Sequence, residues 1–178
     1  MQGLHNDIWS TTDGKNWIEL TANATFSPRR YLKVAVFNNK IWAIGGIDAT
    51  SERNDVWSSS GGRNWSLVTA DAGFSPRYDP VVVVFDNKLW VIGGQDDRNN
   101  LVNDVWFSSD GNNWTQLTDN AGFSRRPGFY LSGAVFDNRI FIFDVATSKE
   151  NPGTNEVWSS SDGKNWTLVN DNASFRVM

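Results

Sequence analysis

Between residues 77 and 118 the apolar positions come in short runs and never at helical spacing. RYDPVVVVF ends at DNK, KLWVIGG follows, and the polar stretch QDDRNNLV leads into NDVWFSS; DGNN then turns the chain into WTQLT. Runs of this length, punctuated by Gly, Asn and Asp, predict four antiparallel strands, called A to D below. Asp86-Asn87 and Asp110-Gly111 tolerate positive φ, as tight hairpins require. Val81–Phe85 and Leu89–Ile92 are continuously apolar, which predicts inner strands covered on both faces. Trp114–Thr118 mixes apolar and polar positions, as an outer strand would.

The pattern recurs. NDIWSTTDGKNW (6–17), NDVWSSSGGRNW (54–65), NDVWFSSDGNNW (103–114) and NEVWSSSDGKNW (155–166) keep the same Trp-to-Trp spacing, and all ten tryptophans fall on repeat positions. A fixed period of about fifty residues marks a repeat architecture. In strand order the chain reads as a half unit at 6–21, then units at 29–70, 77–118 and 126–170, with a tail at 171–178. A buried inner pair beside a polar outer strand, repeated in tandem, predicts an all-β propeller segment: an open arc of about three and a half four-stranded antiparallel blades. The indoles are expected to pack between blades. The half unit lacks strands A and B, so the chain is expected to belong with further blades of a longer protein or to self-associate.

An Arg before strand A, a Gly-Gly pair closing strand B and a Trp opening strand D give the chain its resemblance to the kelch repeat. Those residues are Arg29, Gly45-Gly46 and Trp65 in one unit and Arg77, Gly93-Gly94 and Trp114 in the next. The likeness is to a divergent, bacterial-type branch, with repeats similar to those of the galactose oxidase central domain. Ser10, Ser58, Phe107 and Ser159 stand where the family usually has Tyr, and Phe143-Asp144 replaces the third glycine pair. The resemblance implies a scaffold for protein recognition. The copper chemistry of galactose oxidase needs a cysteine-linked tyrosine and histidine ligands, and a chain with no Cys and a single His, His5, does not supply them. The Ser-Asp-Gly-x-Asn-Trp turn is similar to the sialidase Asp-box, with the Asp-to-Trp distance one residue shorter; it reads as shared turn physics.

Composition narrows the partners. Net charge is −4 and the sixteen Lys and Arg are scattered, so no basic stripe offers itself to a phosphate backbone and no nucleic acid is expected. No apolar run approaches the roughly 20 residues that span a bilayer, so no membrane insertion is expected. Without Cys there is no thiolate metal site. Asp96-Asp97, with Asn99, Asn100 and Asp104, offers oxygens, but the spacing matches no calcium loop and reads as a solvated loop. No cofactor and no metal are expected.

Loop lengths point to a site. The A-to-B and C-to-D steps are constant, whereas the B–C loop grows from IDATSERN to QDDRNNLVN to VATSKENPGTN, and the D–A connection lengthens in the last unit. In an up-down-up-down sheet these two variable connections share one face, where loops on a rigid scaffold carry recognition. The candidate binding residues are Arg30, Tyr31, Asp48, Glu52 and Arg53; Tyr78, Asp79, Gln95, Asp96, Asp97 and Arg98; and Arg125, Tyr130, Lys149 and Glu150. Arg and Tyr are favoured anchors at such surfaces. The repeated Arg29, Arg77 and Arg126 read instead as blade structure. No nucleophile–base pair stands out, so a non-catalytic scaffold is expected, with a protein partner first and a glycan second. The alternative is part of a carbohydrate-active propeller enzyme, an isomerase, mutarotase or sialidase-like protein, whose pocket needs further blades.

Overall fold

The computed structural model describes residues 3–123, 131–144 and 155–174, and these form strands and turns without a helix. β1 (Ile8–Ser10) and β2 (Ile18–Thr21) make a two-stranded sheet. β3 (Lys33–Phe37), β4 (Lys40–Ile44), β5 (Val56–Ser59) and β6 (Ser66–Thr69) pair in chain order. In the third sheet β7 (Arg77–Tyr78) and β8 (Val81–Phe85) both pair with β9 (Lys88–Asp96), followed by β10 (Leu101–Ser108) and β11 (Thr115–Thr118). The fourth runs β12 (Leu131–Phe136), β13 (Arg139–Asp144), β14 (Glu156–Ser160) and β15 (Thr167–Asn170). Every neighbouring pair is antiparallel. These are propeller blades 1 to 4, the first made of an outer pair alone, and the sheets stay open.

β7 and β8 are one strand A, interrupted where Asp79 takes φ 55° ahead of Pro80, which has no N–H to give a ladder. Each blade also carries a register shift between strands C and D, at Ile8/Trp9, Val56/Trp57, Val105/Trp106 and Val157/Trp158. The extra residue bends the short outer strand.

Side-chain alternation along the inner strands assigns their two faces to two neighbours. Val82, Val84, Leu89 and Val91 pack back onto Phe37, Trp42 and Ile44 of blade 2. Val81, Val83, Phe85, Trp90 and Ile92 pack forward onto Leu131, Ile140 and Ile142 of blade 4. Coverage on both faces, which the apolar runs predict, therefore holds where both neighbours present inner strands. It fails on the rearward face of blade 2, where Val36 is 71% exposed, and on the forward face of blade 4, where Phe136 is 74% exposed against 6% for its equivalent Phe85.

The tryptophans serve three purposes. Trp42 and Trp90 lie in strand B with their indole N–H donating to the carbonyls of Phe37 and Phe85. Trp65, Trp114 and Trp166 donate to the C–D turn glycines and meet Phe26, Phe74 and Phe123 edge-on, each at 5.3 Å between centroids. Trp9, Trp57, Trp106 and Trp158 donate to a carboxylate two residues earlier. The expectation of packing between blades needs correcting in blade 1, where Trp9 is 47% and Trp17 57% exposed.

The C–D turns fix blade spacing. A Cβ on Gly111 would come within 2.0 Å of the Trp42 ring of the preceding blade, and one on Gly163 within 2.2 Å of Trp90; at Gly14 it would meet open space. All three glycines have positive φ, so the backbone strain of a substitution is common to them and only the collision differs. Gly14→Ala is expected to cost about 1–2 kcal/mol from the left-handed backbone alone. Gly111→Ala should add about 1–3 kcal/mol of overpacking to that figure, and urea unfolding of the two variants separates the contributions.

Asp110 caps its turn by accepting from the Asn112 and Asn113 amides. The Asn113 amide first, against some burial, and then the Asn113 side chain hold its carboxyl down to about 2; Asp162 sits at about 2 as well, where hydrogen bonds led by the Asn165 amide outweigh burial. A carboxyl lowered by folding stabilises above its ordinary pKa and loses that contribution as protons bind. Thermal stability should hold as pH falls to about 4 and then drop toward 2. In Asp110→Asn with Asp162→Asn the drop should be shallower, read from Tm against pH.

Candidate functional site

The B–C and D–A loops are held by two arginines that the sequence marks as structural. Arg29 uses all five of its N–H donors: Nε and Nη2 reach the Ser27 carbonyl and hydroxyl, Nη1 reaches the Gly45 carbonyl, and both terminal nitrogens bond Asp55, the nearer at 2.5 Å. Arg77 repeats the arrangement with Ser75, Gly93 and Asp104. Each guanidinium also lies over a phenylalanine, Phe26 at 5.6 Å and Phe74 at 5.4 Å. One side chain thus ties the start of strand A, the end of B and the start of C.

Backbone hydrogen bonds then join neighbouring blades on the same face. Gly46 donates to the Arg77 carbonyl at 3.0 Å, Arg77 to the Arg53 carbonyl at 3.1 Å, and Asp79 to the Tyr31 carbonyl at 3.1 Å. The glycine pair permits this approach, since a Cβ on Gly46 would lie 2.8 Å from the Arg30 carbonyl oxygen and one on Gly45 3.0 Å from that of Arg77.

The stitching brings together residues from two blades. Tyr31 and Tyr78 lie 5.8 Å apart between ring centroids at 35°, with the Arg30 guanidinium 5.3 Å from the Tyr31 ring. Tyr31 is partly exposed and takes φ 58°, an uncommon backbone for a bulky residue, at the same repeat position as Asp79. The Tyr78 hydroxyl donates to Gln95 Oε1 at 2.5 Å. Burial first, then the Glu52 carboxylate, the neighbouring Tyr31 phenol and the Asp79 carboxylate push the Tyr78 phenol upward, against the pull of Arg30, so it stays a neutral donor.

The other candidates divide by what already holds them. The Asp48 side chain is buried, accepting from Ser27, Thr50, Ser51 and Arg53. Burial alone would raise its carboxyl; those hydrogen bonds outweigh burial and hold it well below the usual range. Asp96 closes its loop by accepting from the Arg98 and Asn100 amides and the Asn100 side chain; these bonds, with the Arg77 charge, keep it low against burial. Asp79 is buried and paired with Lys33 of the preceding blade. Arg30, Asp97 and Arg98 are exposed, and Glu52 and Arg53 half-buried. Arg125, Arg126, Tyr130, Lys149 and Glu150 lie outside the described residues. Sequence reading did not single out Lys33, Ser27 or Thr50, and only the recurring Phe-Ser-Pro-Arg of 26–29 and 74–77 carried a signal for any of them.

Among the described residues no group of three or more His, Cys, Asp and Glu side chains is placed to hold a metal ion. Asp96 and Asp104, considered above as oxygen donors, are engaged by Asn100 and by Arg77 with Trp106. What the face offers is an aromatic pair rimmed by charges of both signs on a backbone fixed from below.

The buried pair beneath it is open to test. Arg77→Met leaves Asp104 without its guanidinium and should cost about 3–5 kcal/mol. Arg77→Met with Asp104→Leu removes both charges and should recover part of that loss, measured by denaturant unfolding.

A family model described as the DUF6242 beta propeller domain matches residues 43–159, more than half of the chain. No curated protein matches it.

Proposed function

This chain belongs to the DUF6242 beta propeller domain family, and we propose that it is a non-catalytic, kelch-like binding scaffold that recognises a protein through its B–C and D–A loop face. The observation that supports this most is the Tyr31–Tyr78 pair, built from two blades and flanked by Arg30 and Glu52. Tyrosine presents a large rigid surface with a polar tip at small entropic cost, and arginine beside it adds a forked donor. The carboxylates around the pair favour binding over proton transfer. Asp48 and Asp96 are held ionised, and Asp79 is engaged by Lys33; a general acid near neutral pH needs the opposite shift. A glycan could stack on the same tyrosines and is the second candidate.

The test compares two variants of equal thermal stability. Immobilised wild-type chain is used to capture partners from lysate of the source cells. Arg30→Glu with Tyr31→Ser and Arg98→Glu should lose the captured protein, with at least a tenfold loss of affinity, about the effect of removing one strong interface anchor. Lys15→Glu with Arg63→Glu and Lys164→Glu, on the C–D turn face, should keep it. Loss in the second set with retention in the first would overturn the assignment. Retention on a glycan array in place of protein capture would favour the second candidate.

A further inference from the structure

The C–D turns of blades 1, 3 and 4 share one hydrogen-bond scheme. Asp13, Asp110 and Asp162 each accept on Oδ1 from the amides two and three residues later, and on Oδ2 from the Asn side chain three residues later, all at 2.7–2.8 Å. A hydroxyl two residues earlier, that of Thr11, Ser108 or Ser160, donates to the same Oδ1 at 3.0 Å. Four donors thus converge on one carboxylate.

Blade 2 keeps the donors and lacks the acid. Gly61 stands at the Asp position, and the Ser59 hydroxyl, the Arg63 and Asn64 amides and the Asn64 side chain stand at the four donor positions. Ser59 Oγ accepts from the Gly61 and Gly62 amides as Ser108 Oγ does from Asp110 and Gly111, so the turn keeps its shape. Among the described residues none of the four donors has an acceptor, although Ser59 is only 3% exposed. Charge has changed in the same direction. One blade later Lys88 pairs with Asp86, whereas Lys40 has Asn38 at that position and pairs with no carboxylate among the described residues. Lys40, Ser59, Ser60, Arg63 and Asn64 share a cleft of about 350 Å³ whose lining includes no Asp or Glu. A Cβ on Gly61 would meet nothing within 4 Å, so the place of the acid is open. Asn112, Asn113, Lys164 and Asn165 are exposed too, where the preceding blade presents its inner strands, so the opening belongs to the turn itself.

We propose that the C–D turn of blade 2 is a binding site for a carboxylate from outside the chain, carried by a small organic acid or by an acidic peptide side chain. One oxygen takes the Ser59 hydroxyl and the Arg63 and Asn64 amides, and the other takes the Asn64 side chain. Lys40 and the Arg63 guanidinium draw anions to the cleft. The commitment to a carboxylate comes from the three sister turns, where this donor set closes on a planar, two-oxygen acceptor; basic side chains alone would take any anion. The site lies on the face opposite the tyrosine pair, so the two stand or fall separately.

The test is amide NMR of the isotope-labelled intact chain at neutral pH and constant ionic strength, titrated with sodium acetate against a sodium chloride reference. The Arg63 and Asn64 amides and the Asn64 side chain should shift saturably. The Asn112, Asn113, Lys164 and Asn165 amides, which already face a carboxylate, should not. Gly61→Asp supplies the acid from within: it should abolish the response and move the Arg63 and Asn64 amides toward their acetate-saturated positions. It should do so without lowering Tm, because Gly61 is not among the positive-φ glycines. Lys40→Gln should weaken acetate binding by roughly twofold or more. Acetyl-Gly-Asp-Gly-amide, with its Asn counterpart as the blank, separates the sources. Binding tighter than that of acetate assigns the site to an acidic side chain, binding no tighter assigns it to a small free acid, and both uphold it. No saturable shift below about 100 mM acetate would leave the donors to water and overturn the proposal. So would a response that persists in Gly61→Asp, or saturation by sulfate and not by acetate.

Discussion

A guanidinium removed from water must find a partner for every N–H, and that requirement organises blades 2 and 3. Arg29 and Arg77 are buried and meet it with the same set of acceptors: a seryl carbonyl and hydroxyl, a glycyl carbonyl and an aspartate. Each aspartate accepts in addition from an indole two residues on, and that indole's ring approaches the phenylalanine on which the guanidinium rests, at 6.1 Å in both blades. The result is a closed circuit of Phe, Arg, Asp and Trp drawn from two segments of one blade. Such a circuit is satisfied as a whole or not at all, which makes it a device for fixing loop position more than a source of net stability.

With the loop bases fixed, neighbouring blades can be joined by main-chain bonds that would otherwise be too exacting in geometry. The Gly45-Gly46 pair lets the loop of one blade meet the incoming strand of the next, and Tyr31 and Asp79 accept an unusual backbone at the same repeat position. Fourth-blade Phe143-Asp144 shows the other solution: the A–B ladder continues through Leu131↔Asp144, and Phe143 stacks near Phe141 at 6.4 Å. The proposed recognition surface therefore rests on an architecture that varies blade by blade while its foundations repeat.

Much of this was legible in the sequence, because repetition multiplies weak signals. Strand order, turn positions and the two-residue Asp–Trp offset all follow from local spacing, and the alternation of Val81–Phe85 encodes which neighbour each face meets. What spacing could not supply were partnerships between blades. Nothing near Asp79 in the chain announces Lys33, and nothing in Tyr31 announces a left-handed backbone; both depend on a neighbour some fifty residues away. The candidate residues likewise separate only in three dimensions. Asp48 and Asp96 read as surface charges in sequence, yet their carboxylates are enclosed by the loops they close.

The register shift repeated between strands C and D has a consequence for how the molecule meets other molecules. An outer strand of four residues, bent at its pairing partner, offers a poor template for an incoming chain to extend in register. Lateral sheet growth, the first step of fibrous aggregation, is thereby discouraged along the whole perimeter. The outer strands do carry exposed apolar side chains, Ile18, Leu67, Leu168 and Val169 among them, and the bend keeps that stickiness from coinciding with a regular hydrogen-bonding edge.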